Sequence, residues 1–509
     1  MSLQPKPPHG LLFGNIPIAS KVASSLPWDC HPHTLWAHIH RAYNLGAFFV
    51  ADLWPLSSVK LMIIQDPAVA AQVTQLRSLP KHTILKTLTV HLVGTDSMLL
   101  AEGATWKSLR TIFNPGFSTA HLLTQTDVIV DYTQIFCKIL SKHAENGEMF
   151  QMEDAATRLT IDIIGRVALD TDLHAQISDN ELVNAFRHSM AWTPKTGHWN
   201  PFLNTNPVRP VLTWWYKRKM DHYLGNVIDR RFASQRYAGP HNKSKHIIDL
   251  ALDEYCKQNA GSAQMLAGPD KHFKKAVIDN MKTFLFAGHD TTSSLICYVY
   301  HLLHLHPQDL AKVRQEHDEI FGIDTSKAPD MIKDNPQLLG RLPYTLAIIK
   351  ETLRLYPPAS TLRMGSDHVS ITYNAESYPT KGFLVWVNNH AISRRADIFP
   401  SPDSFVPQRF LADAPAEIPR NAWRPFEKGP RNCIGQELAL LELKIIMVLT
   451  LRSFSMHTVI EDWHKNCGKS VAVGQVDEVY GDKAYQILQS TAKPKYGMPM
   501  TVTRTALPI

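Results

Sequence analysis

The stretch 426–435, Phe-Glu-Lys-Gly-Pro-Arg-Asn-Cys-Ile-Gly, constrains the fold of this chain more than any other. It is a Gly-Pro turn that carries one cysteine, Cys433, straight into 434–444, where apolar residues recur at helical spacing. A cysteine so placed sits near a helix N-terminus, a position that lowers a thiol pKa. Gly429 lets the chain turn there. The bland alternative is a buried, inert cysteine. Cys30, Cys137, Cys256, Cys297 and Cys467 form no C-x-x-C pair, which argues against a zinc ribbon or disulfide framework and fits a reducing compartment.

Phe426, Gly429, Arg431, Cys433 and Gly435 fit F-x-x-G-x-R-x-C-x-G. Chance meets those fixed positions on the order of once in ten thousand chains of this length. At this point the chain resembles the cytochrome P-450 family. The resemblance implies a mainly α fold with a small β region, the cytochrome P-450 fold, in which a long central helix lies over a buried haem. Cys433 is then the iron ligand. An iron porphyrin that cleaves O–O bonds needs an electron-donating thiolate. Phe426 is expected to shield that thiolate, Arg431 to reach a haem propionate, and Gly435 to let the helix approach the macrocycle.

A helix is expected over 274–306, stopped by Pro307. At its middle stands Ala-Gly-His-Asp-Thr-Thr, 287–292, a poor helix former. Poor local sequence inside a strong helix often marks function. The family carries an acid–alcohol pair here, so Asp290 is expected to feed protons and the Thr291 hydroxyl to serve dioxygen. Gly288 is expected to clear space for that dioxygen. Read alone, such hydroxyls back-bond to the preceding turn and bend the helix.

Glu351 and Arg354 lie three residues apart on one face of a helix expected over 342–355. Arg409, in Phe-Val-Pro-Gln-Arg-Phe at 405–410, is expected to close a Glu351–Arg354–Arg409 triad, although Gln408 stands where the family has an acid. Trp106 and Arg110 match the family's W-x-x-x-R and, with Arg363, are the remaining propionate candidates.

Strands are expected at 47–65, around 369–387 and as a pair near 484–504, with helices from 67 to about 319 broken at 193–210, 238–242 and 261–270. This organisation reads as a proline-rich lead-in without a membrane anchor over 1–20 and one domain over 21–509. The aromatic group Trp199, Phe202, Trp214, Trp215 and Tyr216 is expected in the core or the pocket roof, with membrane contact as the second reading. The histidine clusters at 31–33, 38–40 and 301–306 lack zinc spacing.

The formal charge of +7 comes with no basic stripe interleaved with aromatics, so nucleic acid is excluded as a partner. The resemblance implies an NADPH- and O2-dependent monooxygenase with haem b and a small, largely apolar organic substrate. It holds no flavin or nicotinamide motif, so electrons come from a separate NADPH–cytochrome P-450 reductase. The wording of 113–117 and 425–429 is similar to fungal members of secondary metabolism. A haem-thiolate isomerase or dehydratase, and a non-catalytic haem sensor, are the rival readings. The expected setting is a monomer at the endoplasmic reticulum surface, with peripheral membrane contact, or otherwise the cytoplasm.

Overall fold

The computed structural model describes residues 5–193, 206–238, 246–258, 269–466 and 478–505; Trp199, Phe202 and Cys467 lie outside them. The helices that frame the site are α1 (Ile16–Ala23), α2 (Gly103–Phe113), α3 (Thr126–Asn146), α4 (Met152–Leu169), α5 (Val208–Ala238), α6 (Lys271–Leu305), α7 (Pro343–Leu355) and α8 (Gln436–Thr450). The strands are β1 (Phe48–Ala51), β2 (Lys60–Ile64), β3 (Phe150–Gln151), β4 (Thr361–Met364), β5 (Ser370–Tyr373), β6 (Glu376–Pro379), β7 (Phe383–Val387), β8 (Phe454–Thr458), β9 (Gln486–Gln489), β10 (Thr491–Pro494) and β11 (Pro499–Arg504).

Helix α6 organises the molecule. Its N-cap, Asp270, accepts from the His272 and Phe273 N–H groups, both at 2.9 Å. Pro307 follows its C-cap, His306. Its 35 residues span roughly 50 Å. Unbroken buried runs, 277–286 and 292–303, cover every face, as befits a helix inside the core rather than on it. Helix α4 packs along its middle, where Thr160 Oγ1 donates to His289 O at 3.2 Å.

The β region draws on both halves of the chain. The hairpin β1–β2 pairs Phe48 with Ile64, β7 adds parallel to β2, and β4 pairs antiparallel with β7. Strands β4 and β8 were not expected: β4 buries the polar Thr361 and Arg363, whereas β8, Phe-Ser-Met-His-Thr, does alternate apolar with polar residues. The terminal pair is in fact three strands: β9 and β10 form a hairpin, and β11 pairs with β8 and β3.

The lead-in is not simply extended. Helix α1 begins at Ile16, so the expected boundary at residue 20 falls inside it. Asn15 ties it down, donating from its amide to Pro8 O at 2.9 Å, while the Val50 N–H donates to Pro5 O at 2.9 Å. The prolines leave their carbonyls free as acceptors, and these dock the segment on the first hairpin.

Candidate functional site

Gly435 caps α8, and Cys433 precedes it by two residues. The loop closes through the Cys433 N–H, which donates to Phe426 O at 2.9 Å. Gly429 has φ +89°, and a Cβ there would lie 2.3 Å from Thr74 O, so turn and close approach both demand glycine. Arg110 of α2 braces the loop from outside, donating to Asn432 O at 2.9 Å and Asn432 Oδ1 at 3.0 Å. The ring of Phe426 packs edge-on against Trp423.

The Cys433 side chain is exposed, and a Cβ on Gly435 would meet only Cys433 Sγ, at 3.9 Å. Burial nonetheless pushes the thiol pKa up, while the Gly435 N–H and the Arg110 charge pull it down. The surface of Cys433 is thus reachable although protein surrounds it. The helix end acts in the expected direction through the Gly435 N–H, but in this structure desolvation outweighs it.

Between its two buried runs, α6 presents Ala287 exposed and Thr291 half-buried. They are four residues apart and share one face. The Thr291 hydroxyl donates to Ala287 O at 2.8 Å. Asp290 is 1% exposed and points elsewhere: Lys493 Nζ stands 2.9 Å from its Oδ1, and the Thr491 hydroxyl donates to its Oδ2 at 2.6 Å. The pair therefore occupies two faces of the helix, with an open hydroxyl and a buried acid. Gly288 has a different role from the one expected. A Cβ on it would lie 2.9 Å from Ile164 Cγ1, so it serves the close approach of α4.

A group of cations lies beside the cysteine loop. Arg431 donates to Ala101 O at 2.8 Å, pairs with Glu102, and lies 4.3 Å over the Trp106 ring. Arg363 is fully buried and gives Nη1–H to Leu79 O at 2.8 Å, while its Nε and Nη2 have no hydrogen-bond partner among the described residues. Lys81, which no sequence pattern marked, donates to Thr361 Oγ1 at 3.2 Å. Burial, and then the charge of Arg363, push its pKa down to about 7. Arg424 pairs with Glu427, so among the described residues the carboxylates that Lys81, Arg363, Arg424 and Arg431 face are Glu102 and Glu427. Orphaned guanidinium donors and an excess of cations ask for anionic oxygens. These residues fit a haem with two propionates, beside an accessible thiol.

The triad is assembled. Arg354 Nε and Nη2 donate to the Glu351 oxygens at 2.7 and 2.8 Å, and Arg409 Nε reaches Glu351 Oε1 at 3.3 Å. Gln408 is engaged differently, donating to the Tyr344 hydroxyl at 3.2 Å. Trp214 and Trp215 are 56% and 49% exposed at the start of α5, which corrects their placement in the core or roof. Among the described residues no cluster of histidine, cysteine and carboxylate side chains has the makings of a metal site.

The family model described as Cytochrome P450 matches residues 5–476. The chain is 40% identical to the cytochrome P450 monooxygenase acrF of Aspergillus aculeatus, over 94% of this chain and 99% of that one. It is 35% identical to the cytochrome P450 monooxygenase polC of Polytolypa hystricis, over 99% and 90%. The fold matches the crystal structures of a cytochrome P450 (CYP102L1) and of the cytochrome P450DA heme domain. The TM-scores are 0.72 and 0.74 at 20% identity, covering 93% and 99% of this chain and 98% and 97% of those.

Proposed function

The chain belongs to the cytochrome P450 family and is a haem-thiolate monooxygenase, and we propose that Cys433, Asp290 and Thr291 carry its chemistry, on a small, largely apolar substrate of fungal secondary metabolism. When bound, haem b, with electrons from NADPH through a redox partner, would supply the iron for oxygen activation. Trp106, Arg110, Arg363, Arg431 and the unforeseen Lys81 hold its propionates; Phe426 and Gly435 shape the cysteine side. What carries the reading is the open face at the middle of α6, where Ala287 and Thr291 are accessible between the two buried runs 277–286 and 292–303.

On that face the Thr291 hydroxyl holds a proton next to the reacting oxygen, and Asp290 renews it. Thr291→Ala is expected to keep haem and substrate binding and NADPH consumption. Product per NADPH falls sharply while hydrogen peroxide per NADPH rises. Asp290→Asn slows the whole cycle instead. Thr292→Ala does neither, because Thr292 is 3% exposed and faces the core. Assaying NADPH, peroxide and product together checks this. A coupling defect in Thr292→Ala and not in Thr291→Ala would move the catalytic alcohol by one residue.

The redox partner is NADPH–cytochrome P-450 reductase, docking over α2 and the cysteine loop. Lys107 is exposed there, and Lys428 is half-buried beside Gly429. Reversing both charges is expected to lower the reductase on-rate and flatten its salt dependence, with substrate affinity unchanged. Unaltered stopped-flow reduction across ionic strength would place the docking face elsewhere. The setting is the surface of the endoplasmic reticulum. No described helix is long and apolar enough to cross a membrane. Leu11, Leu12, Phe13, Trp54 and Leu56 are exposed where the lead-in meets the β1–β2 connection, and they suit peripheral contact.

A further inference from the structure

The β9–β10 hairpin lays three consecutive residues on the middle of α6. Thr491 donates to Asp290 Oδ2, Ala492 O accepts from the Ser294 hydroxyl at 2.9 Å, and Lys493 Nζ donates to the Ser293 hydroxyl at 3.0 Å. Lys493 also stands 2.9 Å from Asp290 Oδ1 and 3.0 Å from Glu153 Oε1, in the first turn of α4. Its three ammonium protons thus have three acceptors, and a side chain 2% exposed is fully satisfied.

From this geometry we infer that Lys493 and Glu153 are positioning residues for Asp290: the ammonium holds Asp290 as a carboxylate turned away from Thr291, and Glu153 connects the buried cluster to solvent. The inference rests on Asp290 being the acid of the reaction. Asp290 is 1% and Glu153 24% exposed, so water reaches the cluster at Glu153. Burial pushes the Lys493 pKa down, but the charges of Asp290 and Glu153 hold it above the ordinary value. The other titratable neighbours are neutral: burial drives the His289 pKa down and the Cys297 pKa up. Two carboxylates on one ammonium leave a net negative charge inside the protein. The open end of this cluster is at Glu153. For Asp290 to serve Thr291 on the neighbouring face, it must first exchange its Lys493 contact.

Infrared spectroscopy of the resting haem-loaded protein tests the lock independently of turnover. K493M is expected to show a protonated-carboxyl C=O stretch at pH 7 that is absent from wild type, K493R and D290N/K493M. In turnover, the acid limb of product per NADPH is expected to move up by about 1–3 pH units in K493M, and K493R is expected to restore it. E153Q, at the rim, keeps the Lys493–Asp290 pair and is expected to show no new band. If K493M is too unstable to isolate, D290N/K493M, which removes both charges, is expected to fold, and that rescue supports the coupling. A stable K493M without the new band and with an unmoved profile overturns the inference, as does a double variant no more stable than K493M. If the band is absent while D290N still slows the cycle, the lock fails and Asp290 keeps its role. A band with D290N at wild-type rate retains the lock and removes that role.

Discussion

Glu351→Gln is expected to leave little haem-loaded protein, because it strips the counter-charge from a guanidinium that has no exposure at all. Glu351 accepts from Arg354 twice, from the Val406 N–H at 2.8 Å and from Arg409. Arg354 spends its other donors on Ser393 O at 2.7 Å, Pro402 O at 2.6 Å and Ser404 O at 2.9 Å. One ion pair therefore staples α7 to the 393–409 segment that leads into the cysteine loop. Glutamine keeps the shape and removes the charge, stranding Arg354 at a cost of about 3–5 kcal/mol. A domain has only about 5–15 kcal/mol to lose, so that cost takes a large part of it. Haem content per protein and thermal unfolding are the measurements. Normal values for both would mean that the triad contributes little to the fold.

The triad was legible because its residues stand in fixed local patterns: Glu351 and Arg354 share a helical face, and Arg409 follows a recognisable Phe-x-Pro. The cysteine loop was legible for the same reason, since turn, cap and thiol are ten consecutive residues. What escaped the sequence is what distant segments build. Lys81 sits in Pro-Lys-His and joins the cations only when β4 brings Arg363 beside it, through a bridge between Lys81 and Arg363. Lys493 and Glu153, some 340 positions apart in the chain, meet only because α4 and the β9–β10 hairpin both pack on α6. Gly288 shows the converse case. The sequence marked a glycine that matters, but only the Cβ direction, toward Ile164, revealed that it serves packing. Strand β4 escaped because the residues it buries, Thr361 and Arg363, are polar, whereas the apolar–polar alternation of Phe-Ser-Met-His-Thr in β8 was a legible signal.

The side-chain directions on α6 have a parallel lesson. Asp290 and Thr291 are neighbours in sequence, and roughly 100° of helical rotation separates them. Sequence identifies such a pair as acid and alcohol; structure adds that the acid faces a lysine and the alcohol faces the open side.

All of this depends on Cys433 being the residue that binds iron. Its sulfur is accessible, it precedes the helix that Gly435 caps, and a loop requiring Gly429 holds it in place. Of the other described cysteines, Cys297 is fully buried and Cys30, Cys137 and Cys256 are half-buried, so none is as accessible as Cys433. A thiolate is what gives the ferrous–CO complex its red-shifted Soret band. The ferrous–CO spectrum of Cys433→Ala, recorded on protein reconstituted with haem b, is therefore the decisive measurement. The red-shifted band is expected to be present in wild type and in Cys297→Ala, and wholly lost in Cys433→Ala even where haem is retained. A Cys433→Ala protein that keeps that band would show that another residue ligates the iron.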